Sequence, residues 1–202
     1  MAALISLSIA LILGGLAGFV GGWLDDLIMA GVELFLCVPW LYLLFGLRAL
    51  LPLQLDSRHA FFAIIVALGV IGWAKPARLV RGVVLTAKER EYVLAARGFG
   101  ASDAYLLRRH VLPQTRSILV AQAAALIPRY ILAEVVLSFL GLGINEPEAS
   151  WGTLLGGLQR FHVLVSDWWF RLPALFVFVI FISLHLLGQT LTQLESRTRL
   201  LR

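Results

Sequence analysis

The sequence predicts an all-α integral membrane protein with about five transmembrane helices, and three observations predict it. First, 60% of the residues are hydrophobic, 14% are charged and the mean hydropathy is +0.89, whereas a soluble domain holds about half apolar and about a quarter charged residues. Second, five apolar runs approach the roughly 20 helical residues that cross a hydrocarbon core about 30 Å thick. Third, Lys and Arg collect between and after these runs instead of being spread along the chain.

The elements follow in order. Leu4 to Val20 is a retained membrane helix and not a signal peptide, because no Lys or Arg precedes Arg48 to form a positive n-region. The "GGWLDD" turn leads into a second span, Leu27 to Leu51, with Glu33 and Pro39 inside it. Phe61 to Trp73 is short and leaves two readings open: a span completed by Lys75 snorkelling to the interface, or a buried or re-entrant helix. Ile118 to Leu140 and Trp168 to Leu191 complete the set.

Loops retained in the cytoplasm hold the excess of Lys and Arg. Lys75, Arg78, Arg81, Lys88, Arg90, Arg97, Arg108, Arg109 and Arg116 lie between the third and fourth runs, and Arg197, Arg199 and Arg202 follow the fifth. One orientation satisfies both: residues 75–116 and the C-terminus cytoplasmic, and the Gly141 to Asp167 loop outside, with Glu146, Glu148 and Asp167 against Arg160. Residue 1 then starts outside, which an additional helix before Met1 would explain.

Composition and motifs also exclude. A pI near 10 and a net charge of +5 do not make a nucleic-acid binder when the basic residues are not spread along an exposed face. One cysteine, Cys37 in an apolar run, rules out a disulfide or cysteine-metal framework and reads as a packed thiol. There is no Gly-x4-Gly-Lys-Ser/Thr loop, so ATP is not hydrolysed by this chain alone. His59, His110, His162 and His185 are scattered without an HExxH, and no serine sits in a Gly-x-Ser-x-Gly elbow. No catalytic, cofactor-binding or metal site is expected; an embedded enzyme stays only as an alternative class.

Glu91 to Pro113, "EYVLAARGFGASDAYLLRRHVLP", is polar and arginine-studded in this apolar chain. Thr86-Ala-Lys-Glu89 has the form of a capping box and predicts a helix from near Ala87. Tyr92, Val93, Ala96 and Phe99 recur at helical spacing and predict its apolar face. Gly98 and Gly100 permit the left-handed backbone that stops it, and Ser102 and Asp103 suit a second N-terminus. Pro113 closes that second helix or opens the next span. The reading is a helical pair at the cytoplasmic face that docks on a protein partner.

"AARGFG" followed by "VLP" at Pro113 resembles the cytoplasmic EAA loop of ABC importer permeases, with Ala95, Ala96, Gly100, Leu112 and Pro113 on the pattern. "GWAKPARLVRG", "ILAEVVLSFLGLG" and "PEASWGTLL" are similar to stretches of the dipeptide, oligopeptide and nickel branch of that family. Leu94 stands where that family usually has the glutamate of the triplet. The resemblance implies a single permease domain over 1–202 that lacks the family's first of six helices, with a coupling loop at 86–113 comprising Glu91, Tyr92, Val93, Leu94, Ala95, Ala96, Phe99, Gly100, Leu112 and Pro113. It implies a homologous second permease subunit, two ATP-binding subunits that carry the nucleotide, and an external solute-binding protein. The solute would be a peptide or, alternatively, a nickel-containing one. A truncated, non-transporting membrane partner of such a complex is the other reading.

Charges inside spans complete the expectations, because each costs roughly 2.5–3.5 kcal/mol at the bilayer centre on insertion scales. Arg129 and Glu134 in the fourth span, after Pro128, and Glu33 in the second should turn away from lipid. Either they form buried contacts that fix packing or they line a water-filled path. Glu134 matches a family glutamate, and Arg129 is expected to be its cation.

Overall fold

The computed structural model describes residues 1–50, 57–144, 148–159 and 168–200, the stretch 191–200 as backbone only. All regular structure among them is helical. Helix α1, Ala2–Val20, turns its small residues inward: Ala2, Ser6, Ala10, Gly14, Ala17 and Gly18 are buried while Leu4, Ile12, Leu16 and Val20 are exposed. In lipid there is no hydrophobic gain from pairing large apolar side chains, so small ones that let backbones touch make the contact. Gly21 and Gly22, both at positive φ, reverse the chain into α2, Gly22–Cys37.

The second span is not the straight Leu27 to Leu51 helix that the sequence predicts. It breaks into α2 and α3, Trp40–Leu50, bent by 89°. Pro39 is the cause: it has no N–H to donate, and it forces Val38 into extended backbone at φ −90 and ψ 129. Cys37, expected to be packed, is exposed at this break.

The third span is longer than expected. After α4, Ser57–Ile71, a short turn at Gly72 leads directly into α5, Ala74–Lys88, and Phe61–Lys88 forms one membrane-length helical unit. Lys75, Arg78, Arg81 and Lys88, read from sequence as loop residues, are therefore on its wall. Ala74, Ala77, Val80, Val84 and Ala87 form the buried face against α1. Beyond the inner-end helices described below, α8 spans Arg116–Phe139 without interruption at Pro128. A short α9, Trp151–Gly156, follows, and then α10, Leu172–Leu200, entered through a 3-10 turn at Trp168–Arg171.

Contacts give the directions. Ile5 lies against Gly69, Gly14 against Ala77 and Gly18 against Val84, so α1 runs parallel to α4–α5. Ser6 meets Tyr130 and Gly15 meets Leu112, so α8 is antiparallel to both. Gly188 faces Ala124, which turns α10 back again. Three spans meet in one buried polar knot: the Ser6 and Tyr130 hydroxyls are hydrogen-bonded at 2.6 Å and Ser6 donates to the Gly69 carbonyl at 2.7 Å. A buried hydroxyl between membrane helices needs such a partner.

The alternation puts Val20, Lys88, Arg116 and the far end of α10 at one end of the bundle, and Ala2 and Phe139 at the other. Reporter fusions after Gly100 and at the C-terminus should accordingly read the cytoplasmic side, and one after Glu148 the external side; opposite readings at the first two would break the scheme. Glu146, Arg160, Asp167 and Arg202, and the sequence motif's Pro147, lie outside the described residues, as does His162.

Candidate functional site

At the end of the bundle that carries Val20, Lys88 and Arg116 the chain builds a compact helical knot. The predicted capping box at Thr86 does not form. Helix α5 runs through Thr86, whose hydroxyl donates to the Gly82 carbonyl at 3.2 Å, the alternative partner that a threonine finds inside a helix. The next helix, α6, spans Glu91–Gly98 and starts instead after Arg90 in extended backbone. It ends in a Schellman motif, in which Ala101 N donates to Ala96 O and Gly100 N to Arg97 O, with Gly100 at φ +86. Gly98, predicted to share that left-handed role, is simply the last helical residue.

Ser102 then caps α7, Asp103–Leu106, its side chain accepting from Tyr105 N. A π-turn at Leu107–Val111 and a 3-10 turn at Leu112–Thr115 carry the helix past Pro113 into α8, so Asp103–Phe139 is one continuous 37-residue body. Proline leaves a carbonyl one turn back without a donor, and local π and 3-10 winding absorbs that defect. Thr115 donates to Leu112 O at 2.7 Å within the same turn.

The predicted apolar face of α6 is split by the structure. Val93 is fully buried and Ala96 half-buried in a cluster with Val80, Val84, Leu106 and Val111, so both anchor α6 to its own bundle. Tyr92 is held sideways, its ring tilted at 53° to the His110 ring 6.0 Å away and its hydroxyl accepting from Gln114 Nε2 at 3.2 Å. What points away from the bundle is Glu91, Leu94, Ala95 and Phe99, the last 93% exposed. Leu112 is half-buried toward Gly15 and Pro113 is exposed. Sequence reading missed two ties between the knot and α1. Lys88 Nζ donates to Gly18 O at 2.8 Å, closing an orphan carbonyl of that helix end, and the Arg97 guanidinium lies 5.9 Å from the Phe19 ring centroid while pairing with Asp103 at 3.0 Å.

Above the knot α5 carries a hydrophilic stripe. Lys75, Arg78, Gly82 and Thr86 are exposed at three- and four-residue steps on the face opposite Val80 and Val84. Arg78 pairs with Glu33 of α2 at 3.2 Å. Next to it Arg81 grips Asp25 with both arms of its fork, at 2.5 Å each. A polar stripe along a membrane span faces water or another protein.

Arg129 and Glu134 do not pair, although the sequence suggested it. Five residues along a helix is about 140° around its axis, and the two side chains serve different neighbours. The Arg129 guanidinium lies over the Trp40 ring, 4.6 Å from its centroid. Glu134 accepts from Ser138 Oγ at 2.8 Å and borders a cavity of about 840 Å³ between α1, α4, α8, α9 and α10, lined by Ile64, Tyr130, Trp151 and Ile180 among others.

Ser138 explains two of the sequence motifs together. It accepts from Ile144 N at 3.0 Å, and a Cβ on Gly143 or Gly152 would collide with it. "LSFLGLG" therefore forms a Schellman turn at Gly141, φ +72, onto which α9 is seated through Gly152. The Ser150–Thr153 capping box starts that helix. A glycine is needed where backbone meets backbone.

Comparison with known proteins agrees with this architecture. Residues 10–198 match the family model described as binding-protein-dependent transport system inner membrane component. The dipeptide transport system permease protein of Bacillus subtilis (strain 168) is 41% identical over 193 residues, 95% of this chain and 58% of that protein. The oligopeptide transport system permease protein of Mycobacterium tuberculosis (strain ATCC 25618 / H37Rv) is 36% identical over 201 residues, 99% of this chain and 67% of that protein. Its counterpart in Bacillus subtilis (strain 168) is 35% identical over 191 residues, covering 94% and 60%. The chain thus spans between 58% and 67% of the length of these relatives. It belongs to the family of binding-protein-dependent transport system inner membrane components.

Proposed function

We propose that the chain is a permease subunit of an ATP-driven ABC importer, forming half of a pathway for peptides. A homologous second permease completes that pathway, two ATP-binding subunits dock beneath it, and an external solute-binding protein delivers the solute. Peptides are favoured as cargo because the similar proteins are named for dipeptides and oligopeptides. The observation that carries the reading is α6: Val93 and Ala96 root it in the bundle while Leu94, Ala95 and Phe99 stand out exposed among the described residues. A rigidly seated helix with an exposed apolar tip fits a groove on a partner, the helix-in-groove mode of recognition. With Leu94 in place of an acid, docking rests on shape and apolar contact and is only weakly sensitive to salt.

The test is co-purification of the ATP-binding subunits, with peptide uptake in proteoliposomes, for the native chain, Phe99→Asp and Gly100→Val. Phe99→Asp puts a charge where an apolar groove closes. Valine at φ +86 costs about 1–2 kcal/mol in backbone strain alone. Both variants should insert normally and lose at least tenfold in uptake, with the ATP-binding subunits dissociating or hydrolysing ATP uncoupled. Undiminished coupled uptake in both would remove α6 from the coupling path. Retention of the whole complex with no uptake even by the native chain would favour the non-transporting reading instead.

A further inference from the structure

Most of the described cations away from the chain ends fall into two groups. Arg78, Arg81 and Arg97 each have a carboxylate partner, in Glu33, Asp25 and Asp103, and Arg48 donates to the Leu142 carbonyl. Arg90, Arg108, Arg109 and Arg116 are exposed at the end of the bundle that carries Val20 and Lys88. Lys75 and Arg129 belong to neither group.

Lys75 is at the midpoint of the Phe61–Lys88 unit, and Arg129 is beside the midpoint of α8, so both sit well inside helices long and apolar enough to cross a membrane. Among the described residues neither is joined to a carboxylate. Both border the same small gap, of about 40 Å³, together with Trp40, Gly72 and Tyr130. Two positive charges at this depth are costly unless an anion or water meets them.

We propose that Lys75 and Arg129 form a mid-membrane receptor for the carboxylate of the translocated solute, which on the peptide reading above, on which this rests, is the C-terminal carboxylate. The chemistry fits that group. The Arg129 guanidinium, 4.6 Å from the Trp40 ring centroid, holds its charge through the ring face and not through a hydrogen bond, and a guanidinium fork is the group from which a carboxylate accepts two bonds. The ammonium of exposed Lys75 supplies a second, mobile charge. The gap has about the volume of a single small group such as a water or a carboxylate, and far too little for a side chain. From Lys75 the polar face continues through Arg78, Gly82 and Thr86 toward the inner end, so a solute released from the pair meets hydrophilic surface. The Glu33 carboxylate beside Arg78 offsets that next charge, leaving the excess of positive charge at Lys75 and Arg129.

The experiment uses the reconstituted complex with its binding protein and two probes, a tripeptide with a free C-terminal carboxylate and the same tripeptide as its carboxamide. Each is supplied at saturating occupancy of the binding protein so that delivery is equal. The native complex should import the carboxylate form at least tenfold faster. Lys75→Gln, an exposed substitution that leaves packing intact, should reduce this ratio severalfold, Arg129→Gln should bring it near one, and Arg129→Lys should keep most of it. An unchanged ratio in Lys75→Gln and Arg129→Gln overturns the assignment while leaving peptide transport standing. Import of neither peptide by the native complex overturns the peptide reading and this assignment together. Loss of the second permease subunit on substitution, with the ratio intact in what remains, overturns it in favour of an acid on that subunit.

Discussion

Gly14→Val is expected to lower the melting temperature of the subunit by roughly 10 °C. A Cβ at Gly14 would meet the carbonyl oxygen, carbonyl carbon and Cα of Ala77, all backbone atoms that no rotamer change can move aside. The only relief is separation of α1 from α5, which opens the seam along Ala10, Gly14, Ala17 and Gly18 and undoes close packing that lipid cannot replace. Overpacking by a side chain costs about 1–3 kcal/mol where side chains can yield, and more where backbone must. A loss of at least 3 kcal/mol corresponds to roughly 10 °C in melting temperature for a chain of this size. Thermal unfolding of the subunit in detergent measures it, with Gly31→Val as control because a Cβ there meets nothing within 4 Å. Gly15→Ala should fall between the two, since its nearest neighbour is the flexible Leu112 side chain. Equal melting of Gly14→Val and Gly31→Val would contradict the seam.

The second large effect is Asp25→Asn. It is isosteric, so packing is retained, yet it leaves Arg81 with a neutral amide in place of the carboxylate that holds both arms of its fork. Removing one partner of a buried pair costs about 3–5 kcal/mol, and the lower end applies here because Arg81 keeps some exposure. Most of that cost is the stranded charge. Asp25→Leu combined with Arg81→Met should therefore be more stable than Asp25→Asn alone. A double variant that melts at or below the single one would show that the attraction, and not the stranded cation, dominates.

The particular errors of sequence reading have physical reasons. Helices α1, α8 and α10 were legible because a long, predominantly apolar run reads as a spanning helix even when, as in α8, a few polar residues interrupt it. Helix α5 was hidden because Lys75, Arg78 and Arg81 count as loop on a hydropathy scale, yet a span accepts cations where carboxylates such as Glu33 and Asp25 lie opposite or where the face leaves lipid. The break at Pro39 was half-visible: the proline was noted, but whether a proline is absorbed, as at Pro128, or breaks the helix depends on neighbouring packing. Gly100 and Ser102 were legible because a positive φ and an N-cap have few substitutes. The face of α6 was not, because periodicity finds Val93 and Phe99 equally apolar and says nothing about which of them the bundle itself covers.

The unbroken passage from α7 through the winding at Pro113 into α8 has a mechanical consequence. Asp103–Phe139 is a single shaft of 37 residues, roughly 55 Å long at the helical rise, of which about 36 Å lies beyond Thr115, so a tilt of about 5° about that point sweeps the far end through about 3 Å. On the proposed coupling the effort would be applied beside Phe99, the fulcrum would be the packing of Val111 and Leu112 against α5 and α1, and the load would be Ser138 with α9 seated upon it. Arg129 is carried on the same arm. The π-turn at Leu107–Val111 is the most compliant joint of this lever, and the stiffness of that one turn sets how much of a displacement at the tip is delivered across the membrane and how much is lost to bending.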